Sequence, residues 1–274
     1  MAPTATHAPP KTMKTDAPAQ TVLVTGGGRG IGAATSLLCA ARGWAVAVNY
    51  SRDAAAAEHV VATIRAAGGR AMAVPADVAN DTAVAAMFVA IDRELPPLAG
   101  LVNNAGVIDL AARVDATTAQ RLQRMFAINV FGSFYCAREA IRRMTSNRKG
   151  PAAHPAGAHR GGAIVNVSSA AARLGGGGQY VDYAAAKGAI ESFTVGLAKE
   201  VAGEGIRVNA VRPGIIETSI HASGGAPDRP QQMASLIPMQ RPGSAGEVAE
   251  AIVWLLSPAS SYTTGSIVEV TGGR

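Results

Sequence analysis

Val22-Leu23-Val24-Thr25-Gly26-Gly27-Gly28-Arg29-Gly30-Ile31-Gly32 is the stretch of this chain that settles its architecture. Three aliphatic residues in a row read as a buried strand, and an apolar pattern of helical spacing runs from Ile31 to Arg42 after the glycines. Between them, Gly26 permits a tight turn, Gly30 lets the main chain approach a pyrophosphate, and Gly32 lets helix and strand pack closely. The phosphates then lie at a helix N-terminus, where unpaired N–H groups and the helix dipole favour negative charge. Thr25, Gly26, Arg29, Gly30, Ile31 and Gly32 are therefore expected to hold a dinucleotide. A P-loop is set aside because no Gly-Lys-Ser/Thr closes the run.

Outward from this turn, short β-branched runs alternate with longer helical patterns. Strands are expected near 21–25, 44–49, 70–75, 100–103, 162–168, 206–211 and 266–270, with helices between most of them. That alternation predicts an α/β protein: a three-layer, doubly wound, parallel seven-stranded sheet of Rossmann type in a single domain, 21–274. Residues 1–20, rich in Ala, Pro and Thr, read as a disordered tail. Two segments break the rhythm. The Pro/Gly-rich stretch 145–161 reads as a mobile loop, and its His154 and His159 lack the carboxylate or thiol that would make them metal ligands. The stretch 217–243 follows the sixth strand and reads as a lid over a substrate.

The bulk composition narrows the function. With 274 residues, 48% hydrophobic and 16% charged, the chain is an ordinary globule with one large core. No apolar run approaches the roughly 20 residues of a membrane helix, and residues 1–20 carry neither a secretory nor an Arg-rich transit pattern, so the cytoplasm is the expected location. Cys39 and Cys136 sit in apolar helical patterns and read as buried free thiols. The formal charge of +6 raises nucleic-acid binding. Its cations are scattered, however, and the densest group (Arg142, Arg143, Arg148, Lys149) falls where a helix meets the 145–161 loop, so neither nucleic acid nor membrane is expected as a partner.

The end of the second strand bears on which dinucleotide binds. An acid there would hold a ribose 2′-hydroxyl, whereas a 2′-phosphate calls for cations. The chain has Asn49-Tyr50-Ser51-Arg52, with no acid before Asp53. Arg29 and Arg52 form a clamp for a phosphate to which Ser51 adds a hydroxyl, and this favours NADP(H) over NAD(H), with Asn49 beside it.

A second motif lies far downstream. Tyr183 and Lys187 stand four apart in a helical pattern from Val181 to Val201, so they share one face. A phenol titrates near 10, and one that exchanges protons near neutrality needs a cation to stabilise its phenolate. Lys187 supplies it. Tyr180 has Ala184 four residues on and is the weaker candidate.

These motifs, with Asp77-Val78, Asn103-Asn104-Ala105-Gly106, Asn129, Ile164 to Ser169 and Pro213 to Thr218 in order, resemble the short-chain dehydrogenase/reductase family from Thr21 onward. The resemblance implies that Asp77 and Val78 hold the adenine, that Asn104, Ala105 and Gly106 line the cofactor groove, and that Pro213, Gly214, Ile216 and Thr218 meet the nicotinamide side. It likewise implies that Ser169 binds the substrate carbonyl, that Tyr183 donates the proton, that Lys187 binds the nicotinamide ribose and lowers the tyrosine, and that Asn129 holds a water next to Lys187. Strand alternation lets only one of Ser168 and Ser169 face the site, and Ser169 is chosen. Ser169 and Tyr183 are fourteen apart, one more than is usual in the family, and the run Gly175 to Gly178 is expected to absorb the extra residue. The implied activity is NADP(H)-dependent interconversion of a small carbonyl compound and its alcohol. A glucose-type sugar dehydrogenase, a 3-oxoacyl-carrier-protein reductase and a non-catalytic cofactor-binding protein are the alternatives, and the intact Ser/Tyr/Lys set opposes the last. Helices around 118–144 and 181–202 carry more apolar residues than one sheet face needs, which predicts a homotetramer.

Overall fold

The computed structural model describes residues 20–146 and 161–274. The expected tail, Gln20 apart, lies outside them, as do His154, His159, Arg148 and Lys149 of the expected loop. Seven strands form one parallel sheet: β1 (Thr21–Val24), β2 (Ala45–Tyr50), β3 (Ala71–Pro75), β4 (Leu98–Asn103), β5 (Gly162–Val167), β6 (Ile206–Pro213) and β7 (Ile267–Val270), in the order β3-β2-β1-β4-β5-β6-β7. All seven strands fall where the sequence places them. The winding direction reverses between β1 and β4, and such a reversal opens a crevice at the carboxyl ends of the strands.

The two-residue period of β1 shows how the layers form. Val22 and Val24 join Val46, Val48, Ile252 and Leu255 in the core beneath α1 (Gly30–Ala41), α2 (Ala54–Ala66) and α10 (Ala245–Leu256). Leu23, between them, joins Phe88, Met87 and Ile164 in the core beneath α3 (Asp81–Glu94), α5 (Gly132–Ser146) and α7 (Val181–Val201). The sheet is thus apolar on both faces, as a doubly covered parallel sheet must be. Cys39 and Cys136 are buried free thiols, and burial pushes both up to about 12, so they behave as small apolar side chains.

The expected single helix over 118–144 is instead α4 (Ala119–Phe126), a wide π-type turn over Ala127–Phe131, and α5. The cause is local: a Cβ at Gly132 would lie 2.9 Å from Val78 Cβ, so the chain presses close to the β3 loop at that point. The wide turn rotates Asn129 inward, and such turns recur at functional sites.

Three short helical pieces complete the chain: α6 (Ala171–Leu174), α8 (Ile220–Ser223) and α9 (Arg229–Met233). The last two belong to the expected lid. Its base is pinned where Glu217 N donates to Gly243 O and Gly243 N donates to Ile215 O, both at 2.9 Å. Among the described residues, no helix is long and apolar enough to cross a membrane.

Candidate active site

The first helix is built differently at its N-terminus from those around it. Side chains cap α2 (Asp53), α3 (Asn80), α4 (Thr118) and α10 (Ser244), whereas none caps α1 and its first turn has no acid. A helix cannot pair its own first N–H groups, so those of Gly30, Ile31 and Gly32 are left for an anion. Close packing fixes this loop in place. A Cβ on Gly32 would lie 2.3 Å from Gly26 O, so only glycine fits there.

Two polar side chains hold the loop from behind. Thr25 Oγ1 accepts from the N–H groups of Asn104 and Ala105, each at 3.0 Å, and donates to Val102 O at 3.2 Å. Asn49 Oδ1 accepts from Gly26 N at 3.2 Å while its Nδ2 donates to Val74 O and Ala76 O. Both are buried, and their polar atoms face main chain. Asn104 Nδ2 donates to Thr25 O at 2.9 Å, closing the turn after β4 onto the glycine loop.

These contacts shape a cleft of about 480 Å³, walled by Gly26, Gly30, Arg29, Ser51, Arg52, Asp77 and Val78, with Ile31, Asn49, Asn104, Ala105, Gly106 and Thr218 around them. Arg29 pairs loosely with Asp53 at 3.7 Å, both side chains well exposed, and Asp53 is also held as the α2 cap by Ala56 N at 3.0 Å. An exposed pair of this kind contributes little, so Arg29 is available to another anion. Arg52 and Ser51 are exposed beside it. Thr25, Gly32 and Asn129 alone among the expected site residues lie behind the cavity walls. Arg124, which also lines this cleft, had no sequence signal.

A second cavity, of about 420 Å³, adjoins the first along Ile31, Asn104, Gly106, Thr218 and Ile220. Ser169, Tyr183, Lys187, Pro213, Gly214 and Ile216 meet in it. β5 ends at Val167, and the chain then divides the two serines. Ser168 Oγ donates to Glu191 Oε1 at 2.7 Å, whereas Ser169 Oγ accepts from Ala171 N at 3.2 Å and lies near enough to the Tyr183 hydroxyl to lower its pKa. Within the Gly175 to Gly178 run, Gly176 O accepts from Tyr180 N at 2.8 Å; Gly176 has φ +61°, and a Cβ there would lie 2.8 Å from Tyr180 O.

The electrostatics follow from burial. Lys187 is 4% exposed, its Nζ donates to Val167 O at 2.7 Å, and burial brings its ammonium down to about 8. Burial raises the Tyr183 phenol, and the Ser169 hydroxyl draws it partly back. Lys187 Nζ lies 5.7 Å from the Tyr183 ring centre. Beneath Lys187, Asn129 Oδ1 accepts from Val107 N at 3.2 Å, and its Nδ2 donates to Val107 O and Met125 O at 3.0 Å, so this side chain fixes the turn at Gly106 and Val107.

Two ion pairs lock the helix that carries tyrosine and lysine. Asp182 receives Arg121 at 2.7 and 3.1 Å; burial pushes its carboxyl up, but that guanidinium and backbone N–H groups outweigh burial and hold it below the usual range. Glu191 receives Arg212 at 2.7 and 2.8 Å, and Arg212 continues to Glu269. Of the apolar residues in the 217–243 segment, Ile220 and Met233 line the second cavity, Ile237 is buried, and Leu236 and Met239 face outward. Sequence reasoning missed Gln179, Arg229 and Arg274 in that cavity, because each gains meaning only from its neighbours in space.

Residues 26–274 match the sequence pattern of the family described as Enoyl-(Acyl carrier protein) reductase. An uncharacterised oxidoreductase of Escherichia coli strain K12, YgfF, is 54% identical over 92% of this chain and 98% of its own length. A 3-oxoacyl-[acyl-carrier-protein] reductase of Synechocystis is 37% identical over 93% of this chain and 96% of its own. The crystal structure of a short chain dehydrogenase from Burkholderia cenocepacia J2315 in complex with NADP superimposes with a TM-score of 0.81 and 31% identity, covering 93% of this chain and 97% of that one.

Proposed function

This chain belongs to the short-chain dehydrogenase/reductase family, an oxidoreductase of CH–OH or carbonyl groups, and from that premise we propose that it interconverts a carbonyl and an alcohol with NADP(H), Tyr183 being the acid and base. One observation carries the reading: Tyr183 lines, with Ser169 and the buried Lys187, a cavity that adjoins the uncapped end of α1. When bound, the nicotinamide cofactor supplies or takes up the hydride.

The chain's own residues supply the rest. Gly30, Ile31 and Gly32 hold the pyrophosphate on N–H groups, and Asp77 and Val78 close on the adenine. Arg29 and Arg52 receive the 2′-phosphate, with Ser51 beside them; an NADP-bound structural relative agrees with this preference. Thr25 and Asn129 from behind, and Asn49 from the cleft wall, fix the loops that carry these contacts. Ser169 donates to the substrate oxygen, and Tyr183 gives that oxygen its proton in reduction or removes it in oxidation. Lys187 grips the nicotinamide ribose and stabilises the phenolate with its charge. The segment 217–243 closes over the substrate.

The apolar wall of Ile220 and Met233, together with the Synechocystis relative, favours a 3-oxoacyl compound over a sugar as the second, finer reading. The buried free thiols suit the cytoplasm, and exposed Leu122, Phe131 and Phe134 on the 119–146 helices suit a homotetramer. A screen of ketones, aldehydes, sugars and acyl thioesters with NADPH and NADH tests the reading: turnover that needs Tyr183 and prefers NADPH is expected, and equal efficiency with both cofactors would overturn the NADP assignment.

A further inference from the structure

Resting on the reading that the cavity at Tyr183 receives the substrate, we propose that the substrate carries an oxyanion group, a carboxylate or a phosphate ester, which Arg229 and Arg274 bind together in the part of the cavity that is not shared with the cofactor cleft. Three cations line this cavity: Lys187, Arg229 and Arg274. Among the described residues, no Asp or Glu lines it. Lys187 is committed to Val167 O and the tyrosine side, which leaves the two arginines.

Both arginines are half-buried and both are held. Arg229 Nη2 donates to Gln179 Oε1 at 3.1 Å, and its guanidinium lies 5.2 Å from the centre of the Tyr180 ring. Tyr180 is buried and comes three residues before Tyr183, so this stack ties Arg229 to the start of the helix that carries the acid. Arg274 is anchored through its main chain: its oxygen accepts from Arg173 Nη2 at 2.7 Å, and Arg173 is paired with Glu269. Just before it, Gly272 O accepts from Met239 N at 3.1 Å, and Gly273 packs on Pro238. These contacts hold the main chain of Arg274 at the cavity that it lines.

Neither arginine forms an ion pair with a carboxylate among the described residues. Burial, and then the charge of Arg229, lower the Arg274 guanidinium from its usual value, so the two cations sense each other. Two like charges that share one part-buried cavity repel, and an oxyanion placed between them removes that cost while forming charge-assisted hydrogen bonds. Leu174, Ile215 and Met233 line the same cavity, so the fitting substrate has an apolar body besides its carbonyl and its anion.

Calorimetric titration of the NADP⁺-saturated protein with octanoate, octyl phosphate and octanamide tests this without turnover. Octanoate or octyl phosphate should bind about tenfold or more tightly than octanamide, and whichever is tighter names the oxyanion. Arg229→Gln and Arg274→Gln should each abolish that preference while leaving NADPH affinity intact, which also reports that the variant is folded. Equal binding of octanoate, octyl phosphate and octanamide by the wild type, or no binding of either anion at millimolar concentration, would overturn the proposal. Since no reaction is read, a failure of Tyr183 as the acid leaves this result untouched. A wild type that reduces neutral ketones through Tyr183 yet shows no anion preference would sink this inference alone.

Discussion

Burial lowers the Lys187 ammonium to about 8, and the carbonyl of Val167 that receives it stabilises a charge without cancelling it. In the free enzyme Lys187 is therefore charged below about pH 8 and neutral above it. In the mechanism proposed above, carbonyl reduction uses that charge and a protonated Tyr183, so kcat/KM for reduction should be level at lower pH and fall above about 8. A profile still level at pH 9.5, about 1.5 above that value, would show that Lys187 does not set it. The same shift governs stability with a definite sign. Unfolded Lys titrates near 10.5, so between about 8 and 10.5 the unfolded chain binds the extra proton and this residue's contribution to stability rises with pH. Lys187→Met should remove that rise from a series of melting temperatures. Tyr183→Phe deletes one hydroxyl and keeps the ring; turnover should drop by about 10²–10⁴ or more while NADPH binding persists, and Lys187→Ala should damage both. Near-wild-type turnover by the phenylalanine variant would exclude Tyr183 as the acid. At the cofactor end, Arg52→Asp sets a carboxylate where a 2′-phosphate is expected, and the ratio of NADPH to NADH efficiency should collapse or invert.

At the scale of elements, α7 presents Tyr183 and Lys187 correctly only while its first turn is fixed, and the Arg121–Asp182 pair fixes it from α4. The two side chains are 13% and 5% exposed, so removing one strands a buried charge. Arg121→Met should cost about 3 kcal/mol, on the order of 5–10 °C in melting temperature. The double variant Arg121→Met with Asp182→Leu should recover much of the stability but not the rate, because apolar packing replaces the pair without holding Leu110 O, which Arg121 also binds at 2.7 Å. Both measurements, melting and kcat, are needed to separate support of the fold from placement of the tyrosine. The helix face shared by Tyr183 and Lys187 was legible in the sequence because the α-helical period is fixed. The π-type turn at Ala127–Phe131 was not, since one change in hydrogen-bond register leaves no mark on composition.

On the scale of the whole molecule, the helices α4 and α5 leave Leu122, Phe131 and Phe134 between 41% and 49% exposed, although α5 buries Cys136, Ala140 and Met144 against the sheet. Phe134 stacks on Phe193 of α7, 3.9 Å between ring centres, so the apolar surface continues across both helices. Light scattering at micromolar concentration should give a tetramer, or at least a dimer, and Phe131→Glu should shift it toward smaller species. Monomers alone in the wild type would contradict this.

The sequence by itself determined the seven-stranded parallel sheet, the glycine turn and the Tyr183–Lys187 pair, since each rests on a local period or on a conformation that neighbours in the chain dictate. Only the tertiary structure distinguished the surroundings of Ser168 and Ser169, because the end of β5 and the position of Glu191 turn Ser168 to the α7 ion-pair network and leave Ser169 beside the phenol. It alone showed that Thr25 and Asn49 hold the main chain around the glycine turn, and that Arg229 and Arg274 share a cavity. Such residues meet through the packing of distant segments, and the free energy of those contacts is not written in any local pattern of the chain.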